Sequence, residues 1–90
     1  MKSFVYIVTA GEYQKIGFAS DVNRRINQMR PACPLEIELL KAWPTTKPVQ
    51  LEQHLHIMFW KYHVRGEWFR IPLQELELVV NHFEPPKRKS

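Results

Sequence analysis

The chain has 90 residues, 44% of them hydrophobic and 24% charged, which predicts one small globular domain and excludes extensive disorder. No apolar run approaches the ~18 residues of a transmembrane helix, and no signal peptide is visible at the N-terminus. The single cysteine, Cys33, excludes an internal disulfide and a multi-cysteine zinc site. These features predict a small cytoplasmic domain that does not associate with a membrane.

The net charge of +4 comes mainly from the end of the chain. Without residues 85–90, ten Lys and Arg face nine Asp and Glu, so we expect a nearly neutral domain over residues 1–84 followed by a basic tail. Within the domain, residues 13–30 contain four basic residues and one acidic residue. Such a local basic patch is typical of a surface that contacts a phosphate backbone.

The first half of the chain predicts a β-hairpin, a helix and a third strand. Apolar runs rich in β-branched and aromatic residues indicate strands, and a capping residue before an apolar stripe at helical spacing indicates a helix. The predicted elements are a strand at Phe4–Val8, a turn at Gly11-Glu12, a strand at Tyr13–Phe18, a helix from Ser20 or Asp21 to about Arg30 with Val22, Ile26 and Met29 as its inner stripe, and a strand at Leu35–Trp43.

The second half predicts two helices joined by an extended segment. The predicted elements are a turn at Pro44–Lys47, a helix from Pro48 to about Trp60 with Leu51, Leu55, Met58 and Phe59 as its apolar face, a break at Gly66, an extended segment at Glu67–Ile71, and a helix at Leu73–Phe83. We therefore predict an α+β fold with a small three-stranded, mainly antiparallel sheet flanked by helices, in the order β-β-α-β-α-α.

Short motifs on these elements resemble the GIY-YIG nuclease superfamily over roughly residues 4–71. They are Val5-Tyr6-Ile7 on the first strand, Lys15-Ile16-Gly17 on the second, Arg25 on the next helix, Glu52 on the helix after the third strand, and Gly66-Glu67-Trp68-Phe69. Their order and spacing are similar to those of a small phage-associated branch of the superfamily, which has KIG in place of YIG and a terminal E-W-F motif.

The resemblance implies a metal-dependent endonuclease that hydrolyses phosphodiester bonds of nucleic acid, with DNA as the expected substrate and one Mg²⁺ or Mn²⁺ as cofactor. Tyr6 would deprotonate or position the attacking water, Arg25 would contact the scissile phosphate, and Glu52 would bind the cation through a hard oxygen ligand. Gly17 would allow the substrate a close approach to the backbone. The further candidates are Lys15 and His56 for catalysis, and Arg24, Arg30 and Trp60 for nucleic-acid binding.

The chain also departs from the pattern of the family. Lys15 replaces the second tyrosine, Met29 stands where many members have a histidine or tyrosine, and the expected asparagine falls near Glu67. Because the usual proton-transfer partner is absent, Lys15 or His56 would have to replace it.

The helical spacing makes its own prediction about the site. At ~100° per residue, Glu52 and His56 lie together beside the apolar stripe of their helix, and Arg25 flanks the stripe of the preceding helix. We therefore expect Tyr6, Lys15, Arg25 and Glu52 to converge on one cleft, with His56 at its margin.

Two other functions remain open at this stage. One is a catalytically degraded module that binds nucleic acid in the same cleft. The other is a protein–protein module, with a homodimer formed through Ile57 and Trp60, which lie on the outer side of their helix. As an enzyme, the chain is expected to be a monomer or a weak homodimer that prefers single-stranded nucleic acid, aided by Lys87, Arg88 and Lys89 of the tail.

Overall fold

The computed structural model describes residues 2–85, which form three α-helices and one five-stranded antiparallel sheet. The elements in chain order are β1 (Ser3–Ala10), β2 (Tyr13–Ala19), α1 (Val22–Met29), a 3-10 turn (Arg30–Ala32), β3 (Ile37–Thr45), α2 (Pro48–Met58), a second 3-10 turn (Trp60–Tyr62), β4 (His63–Arg65), β5 (Trp68–Phe69) and α3 (Leu73–His82). The strands lie side by side in the order β3-β1-β2-β5-β4. Over residues 2–85, no helix combines the length and the apolar character that crossing a bilayer requires.

The central strand, β1, is covered on both faces of the sheet. Its residues Val5, Tyr6, Ile7 and Val8 are all fully buried, which is why this run is continuously apolar instead of alternating. Odd and even positions of a strand point to opposite faces, so these residues divide between two core layers.

The layer that contains α1 consists of Tyr6, Val8, Ala10, Ala19, Ile26 and Ile37. The layer that contains α2 and α3 is larger and consists of Val5, Ile7, Ile16, Trp43, Leu51, Leu55, Phe59, Phe69, Ile71, Leu76 and Val79. The predicted burial of Ile26, Leu51, Leu55 and Phe59 is confirmed. Val22 and Met29 are only half-buried, and Met58 is exposed, so its predicted place on the apolar face of α2 is wrong.

The predicted three-stranded sheet is also wrong, because β4 and β5 form a hairpin that adds two strands beside β2. Gly66, predicted to break the chain, provides the turn of this hairpin with a φ of 55°, a left-handed conformation that glycine adopts without strain. The two strands have three and two residues. Segments this short carry no recognisable alternation, so the sequence predicted an extended segment without a partner.

The third strand is displaced toward the C-terminus relative to its prediction. It begins at Ile37 and includes Pro44 and Thr45, which were predicted to form a turn. Because β3 lies at the edge of the sheet, where proline is tolerated, Pro44 continues the strand instead of ending it.

A buried glutamine fastens the segment after β5 to the rest of the sheet. Gln14 on β2 is almost fully buried, and its side-chain oxygen accepts a hydrogen bond of 2.8 Å from the backbone amide of Ile71. Its amide nitrogen donates to the carbonyl oxygen of Glu12 at 3.3 Å. A buried polar group with both ends engaged favours one register of the hairpin, because any other would leave the amide unpaired.

Leu55→Ala tests the placement of α2. Leu55 is fully buried, so its truncation is expected to lower the free energy of unfolding by about 2–5 kcal/mol. Ile57 on the same helix is 76% exposed, and Ile57→Ala is expected to change stability by only about 0.5 kcal/mol. Urea denaturation of both variants measures the difference, and equal losses would contradict this orientation of the helix.

Candidate functional site

The candidate site lies at the outer edge of β2, where its pairing with β5 ends. β5 pairs with β2 at Gln14 and Lys15, and the Glu67 carbonyl oxygen then accepts a bond of 3.1 Å from the Ile16 amide. Within the described part of the chain, residues 17–19 of β2 pair with β1 on one side. No strand of that part pairs with them on the other side. Side chains from α1, α2 and the β4–β5 hairpin approach this open edge.

The close packing of Tyr6 on Gly17 is the central feature of the site. The two residues face each other across β1 and β2, so they share a face of the sheet. A Cβ atom on residue 17 would lie 2.7 Å from the Tyr6 Oη and 3.1 Å from the Glu67 Oε1. Glycine therefore leaves room for two functional oxygens where a side chain would displace them.

The Tyr6 hydroxyl is buried and makes no hydrogen bond of regular geometry among residues 2–85, although the Arg25 side chain lies close enough to lower its pKa as a hydrogen-bonding neighbour. Burial raises the pKa of this hydroxyl, and the carboxylates of Glu67 and Glu52 raise it further, while the nearby Arg25 guanidinium lowers it. One other buried polar atom of the described residues, the Trp43 Nε1, is also unpartnered. A buried hydroxyl left without a hydrogen bond costs about 1–3 kcal/mol, a cost that a ligand or a water beside Gly17 would remove.

Glu52 extends from α2 toward the same edge and is half-buried. Burial raises the pKa of its carboxyl, and the like charge of Glu67 raises it as well. His56 and Lys15 act in the opposite direction on this pKa. The charge of Glu67 therefore disfavours the ionised form of Glu52.

Lys15 brings a positive charge to the site from β2. Its Nζ lies 3.9 Å from the Glu67 Oε1 and 3.4 Å from the Met29 Sδ. Met29, which replaces a polar residue of the GIY-YIG pattern, therefore packs against the end of the lysine side chain. This lysine remains partly accessible to solvent on the α1 side of the sheet.

His56 has a structural contact that the sequence did not predict. Its Nε2–H donates a hydrogen bond of 2.9 Å to the carbonyl oxygen of Ile16, because a carbonyl can only accept. The ring also packs edge-on against Phe69, with 4.9 Å between ring centroids. The bond to Ile16 occupies one of the two His56 nitrogens and fastens α2 to β2.

Arg24 and Arg25 lie in the first turn of α1, which begins where Asp21 accepts a hydrogen bond of 3.0 Å from the Arg24 amide. This cap fixes the start of the helix at the end of β2. Both arginines are exposed and line a shallow depression beside Ala19. The charge of Arg25 reaches the Tyr6 hydroxyl, which places Arg25 next to the site.

The two remaining candidates lie further away. Arg30 donates to the carbonyl oxygen of Ile37 at 3.1 Å, so its guanidinium is engaged with β3 and is not part of the cluster around Gly17. Trp60 is exposed and stacks on His63 with 4.1 Å between ring centroids. Phe69 separates this stack from His56, which makes the Trp60–His63 stack a neighbour of the site.

Glu67 is the site residue that sequence reasoning did not assign a role. Its only sequence signal was its position in the E-W-F motif, near the asparagine expected from the family. The hairpin turn at Gly66 and the pairing of Trp68 with Lys15 bring it to the cluster. The convergence of Tyr6, Lys15, Arg25 and Glu52 on one cleft stays a prediction, and the contacts above place Tyr6 and Glu67 at Gly17 and Lys15 beside Glu67.

The acidic residues of the site carry carboxylate oxygens, the kind of ligand that magnesium and manganese ions take. Among the described residues, no group of three His, Cys, Asp or Glu side chains is arranged to hold a metal. Mg²⁺ needs fewer protein ligands, because it is commonly held by one or two carboxylates together with water and substrate phosphate. Glu52 and Glu67 carry oxygens of this kind.

A family model, the T5orf172 domain, matches residues 3–84. The chain belongs to the T5orf172 domain family. This is a family of phage-associated, nuclease-like domains, and the membership is compatible with the resemblance to GIY-YIG nucleases. No curated protein and no solved structure matched the chain. In this T5orf172 domain the match covers every element from β1 to α3.

A double-mutant cycle tests the packing of Tyr6 on Gly17. Tyr6→Phe removes an unpartnered buried hydroxyl, so the free energy of unfolding should stay the same or rise by about 1 kcal/mol. Gly17→Ala should destabilise the fold, because its methyl group meets the hydroxyl at 2.7 Å. In the Tyr6→Phe background the loss should be smaller, since the nearest Tyr6 atom is then Cζ at 3.0 Å.

The measurement is urea denaturation of the wild type, both single variants and the double variant. We expect the two substitutions to interact by at least about 0.5 kcal/mol, the lower end of the range for residues in contact. Strictly additive effects would show that the hydroxyl is not where the close approach occurs.

Proposed function

We propose that this T5orf172 domain is a metal-dependent endonuclease that hydrolyses phosphodiester bonds of nucleic acid at the edge of β2. The observation that carries the proposal is the unpartnered, buried Tyr6 hydroxyl, which lies beside Gly17 within the electrostatic influence of Arg25, Glu52 and Glu67. The nuclease-like character of the family supports the same reaction class.

Hydrolysis of a phosphodiester requires an oriented water molecule and positive charge on the phosphate oxygens. Arg25 is suited to the second task because its exposed, planar guanidinium can donate two parallel hydrogen bonds to a phosphate. Lys15 adds a second positive charge on the same face of the sheet. The two basic side chains hold the phosphate between the end of β2 and the first turn of α1.

Tyr6 is suited to orienting the water. Because burial keeps its pKa above the usual value, the hydroxyl stays neutral at physiological pH and can both donate and accept a hydrogen bond. A water or phosphate oxygen that reaches the space beside Gly17 would provide the partner that the hydroxyl lacks. In this proposal, Tyr6 positions the nucleophile and does not act as an anionic base.

Glu52 is the residue proposed to hold the divalent cation. When bound, Mg²⁺ or Mn²⁺ would supply Lewis-acid stabilisation of the negative charge that develops on the phosphate. The half-buried carboxylate of Glu52, whose pKa is raised by burial and by the charge of Glu67, supports this assignment.

DNA is the proposed substrate, in single-stranded form. Residues 1–84 carry almost no net charge, so few phosphates can be neutralised, chiefly through Lys15, Arg24 and Arg25. Affinity should therefore be low and fall with a salt slope of ~0.7–0.9 per phosphate contact. The exposed Trp60 near the site offers a stacking surface for an unpaired base. The basic residues of the tail, Lys87, Arg88 and Lys89, lie outside the described residues.

One observation favours a second function, that of a catalytically degraded module that binds nucleic acid. The two residues expected to replace the missing proton-transfer partner are both engaged elsewhere. The Nε2 of His56 is bonded to the Ile16 carbonyl, and the ammonium of Lys15 lies against Met29 and Glu67. A binding module would retain the basic surface and lose only hydrolysis.

Variants of Glu52 and Arg25 separate these two functions. Glu52→Gln is expected to abolish cleavage, and Arg25→Ala to slow it by about 10²–10³-fold, the usual effect of removing one donor to transition-state charge. Arg25→Lys should recover only part of the rate, because an ammonium cannot form the paired hydrogen bonds. The measurement is single-turnover cleavage of labelled DNA and RNA with Mn²⁺ or with chelator.

Glu38→Gln is the matched control, because Glu38 is an exposed carboxylate on the edge strand β3, two strands away from β2. It should cleave at the wild-type rate. Binding of nucleic acid without metal-dependent cleavage by the wild type would favour the second function. Wild-type activity in Glu52→Gln would contradict the proposed role of that carboxylate.

The strand preference is tested with one labelled oligonucleotide, alone and annealed to its complement. We expect faster cutting of the single strand, because the site is shallow and no described element is shaped to enter a groove. Truncation after Glu84 should weaken binding and leave the rate at saturation unchanged. Faster cutting of the duplex would contradict the preference, and an inactive truncated protein would show that the tail is part of the site.

A further inference from the structure

The backbone amide of Phe18 faces the open edge of β2. In an antiparallel strand, the N–H and C=O of one residue point toward the same neighbouring strand, and successive residues alternate between the two neighbours. The Ile16 amide donates to the Glu67 carbonyl oxygen, so Ile16 points its backbone groups away from β1. Gly17 therefore faces β1, where it pairs with Tyr6, and Phe18 faces away from β1 again.

This amide is a donor that the described part of the protein leaves free. Within residues 2–85, β5 pairs with β2 only as far as Lys15, and no backbone hydrogen bond joins the Phe18 N–H to the β4–β5 hairpin or to a loop. The Phe18 side chain is itself exposed, so this stretch of the edge is accessible from solvent. A free N–H at the edge of a sheet pairs readily with an acceptor that approaches it.

The opening suits a single acceptor atom and is too short for an added strand. Among residues 17–19, Phe18 alone points its backbone groups outward, whereas binding of an extended peptide requires a ladder of such groups. The adjoining first turn of α1 carries Arg24 and Arg25 and no acidic residue. Positive charge on that side favours an anionic oxygen as the acceptor.

A second group without a regular hydrogen bond is directed at the same place. The Tyr6 Oη lies 2.7 Å from the position that a Cβ on Gly17 would take, and the Phe18 nitrogen is bonded to the Gly17 carbonyl carbon. Tyr6 is fully buried, and its hydroxyl has no regular partner within residues 2–85. A hydroxyl and an amide that both lack acceptors therefore lie on either side of Gly17, where β2 becomes open.

We propose that the Phe18 N–H donates a hydrogen bond to a non-bridging oxygen of the scissile phosphate, beside the water that Tyr6 orients. The proposal rests on the proposed function for the identity of the ligand as a phosphodiester. A backbone amide suits this task because the strand holds it in place, so no side chain has to be ordered as negative charge develops on the oxygen.

Chemical synthesis of the full chain provides the test. An ester in place of the Gly17–Phe18 peptide bond removes this N–H and keeps every side chain. The matched control is an ester in place of the Lys41–Ala42 bond of β3, a strand at the edge of the sheet. Ala42 pairs with Tyr6, whose backbone groups face β2, so the Ala42 N–H also points away from β1. Each ester weakens one carbonyl that faces β1, and circular dichroism verifies that both proteins fold.

The ester at residue 18 should slow single-turnover cleavage of a single-stranded oligonucleotide with Mn²⁺ by about 10²-fold, the usual loss from removing one donor to transition-state charge. In chelator it should weaken binding of the same oligonucleotide by about two- to tenfold, which corresponds to one hydrogen bond. The control ester should bind and cleave like the wild type.

Sulfur in place of either non-bridging phosphate oxygen identifies the atom that the amide contacts, because sulfur accepts hydrogen bonds weakly. One of the two diastereomers should be cleaved more slowly by the wild type and by the control ester. In the ester at residue 18 this sulfur penalty should shrink by at least about twofold, since groups in contact do not act additively.

Nuclear magnetic resonance of the wild type, labelled with ¹⁵N at phenylalanine, needs no variant. On addition of an oligothymidylate in chelator, the Phe18 amide proton should shift downfield and exchange more slowly with solvent. The Phe83 amide, which is bonded to the Val79 carbonyl oxygen, is the internal control and should not change.

The outcomes separate this inference from the proposed function. If the wild type cleaves and the ester at residue 18 binds and cleaves like the control, the endonuclease proposal stands and the role of the Phe18 amide is rejected. If the wild type cleaves no oligonucleotide but the ester at residue 18 alone weakens binding, the phosphate contact stands and the endonuclease proposal is rejected. A wild type that neither binds nor cleaves, with an unchanged Phe18 amide signal, contradicts both.

Discussion

The antiparallel register that places Tyr6 opposite Gly17 is the constraint on which the rest of the site depends. Cross-strand partners share a face, so the tyrosine ring extends over a residue that has no side chain. If β1 shifted by one residue relative to β2, the Tyr6 side chain would point into the core layer that contains α2 and α3. An apolar neighbour of Tyr6 would then point toward α1. The tight turn at Gly11-Glu12 and the buried residues on both faces of β1 hold the register in place.

The site forms at an edge of the sheet because helices cover both of its faces. α1 covers one face and α2 with α3 covers the other, so groups from the two layers meet only where β2 extends past β5. Tyr6, Lys15 and Arg25 come from one side, and Glu52 and His56 from the other. The short β4–β5 hairpin determines where the opening begins, because its last bond to β2 is made by Glu67.

The same arrangement concentrates unfavourable interactions at one place. The Tyr6 hydroxyl is buried without a regular hydrogen bond, and burial together with the charge of Glu67 raises the pKa of the Glu52 carboxyl. Such groups lower the stability of the fold unless a ligand satisfies them. In the rest of the described core, both ends of the buried Gln14 side chain are hydrogen-bonded, and the Trp43 Nε1 is a second buried polar atom without a partner.

The sequence by itself determined the elements whose signals are local. These are the β1–β2 hairpin with its turn, the Asp21 cap of α1, the buried face of α2 at Leu51, Leu55 and Phe59, and the closing helix. Tyr6, Lys15, Arg25 and Glu52 were selected because their motifs resemble those of GIY-YIG nucleases, and their roles stay predictions.

Only the tertiary structure decided the features that depend on partners distant in the chain. β4 and β5 are too short to be recognised alone and exist as strands because β2 offers a free edge, and Pro44 continues β3 because that strand lies at the other edge. For the same reason the sequence could not show that His56 would bond to Ile16, or that Glu67 would reach Gly17. Local patterns determine helices and turns, whereas pairing between distant segments determines which side chains meet.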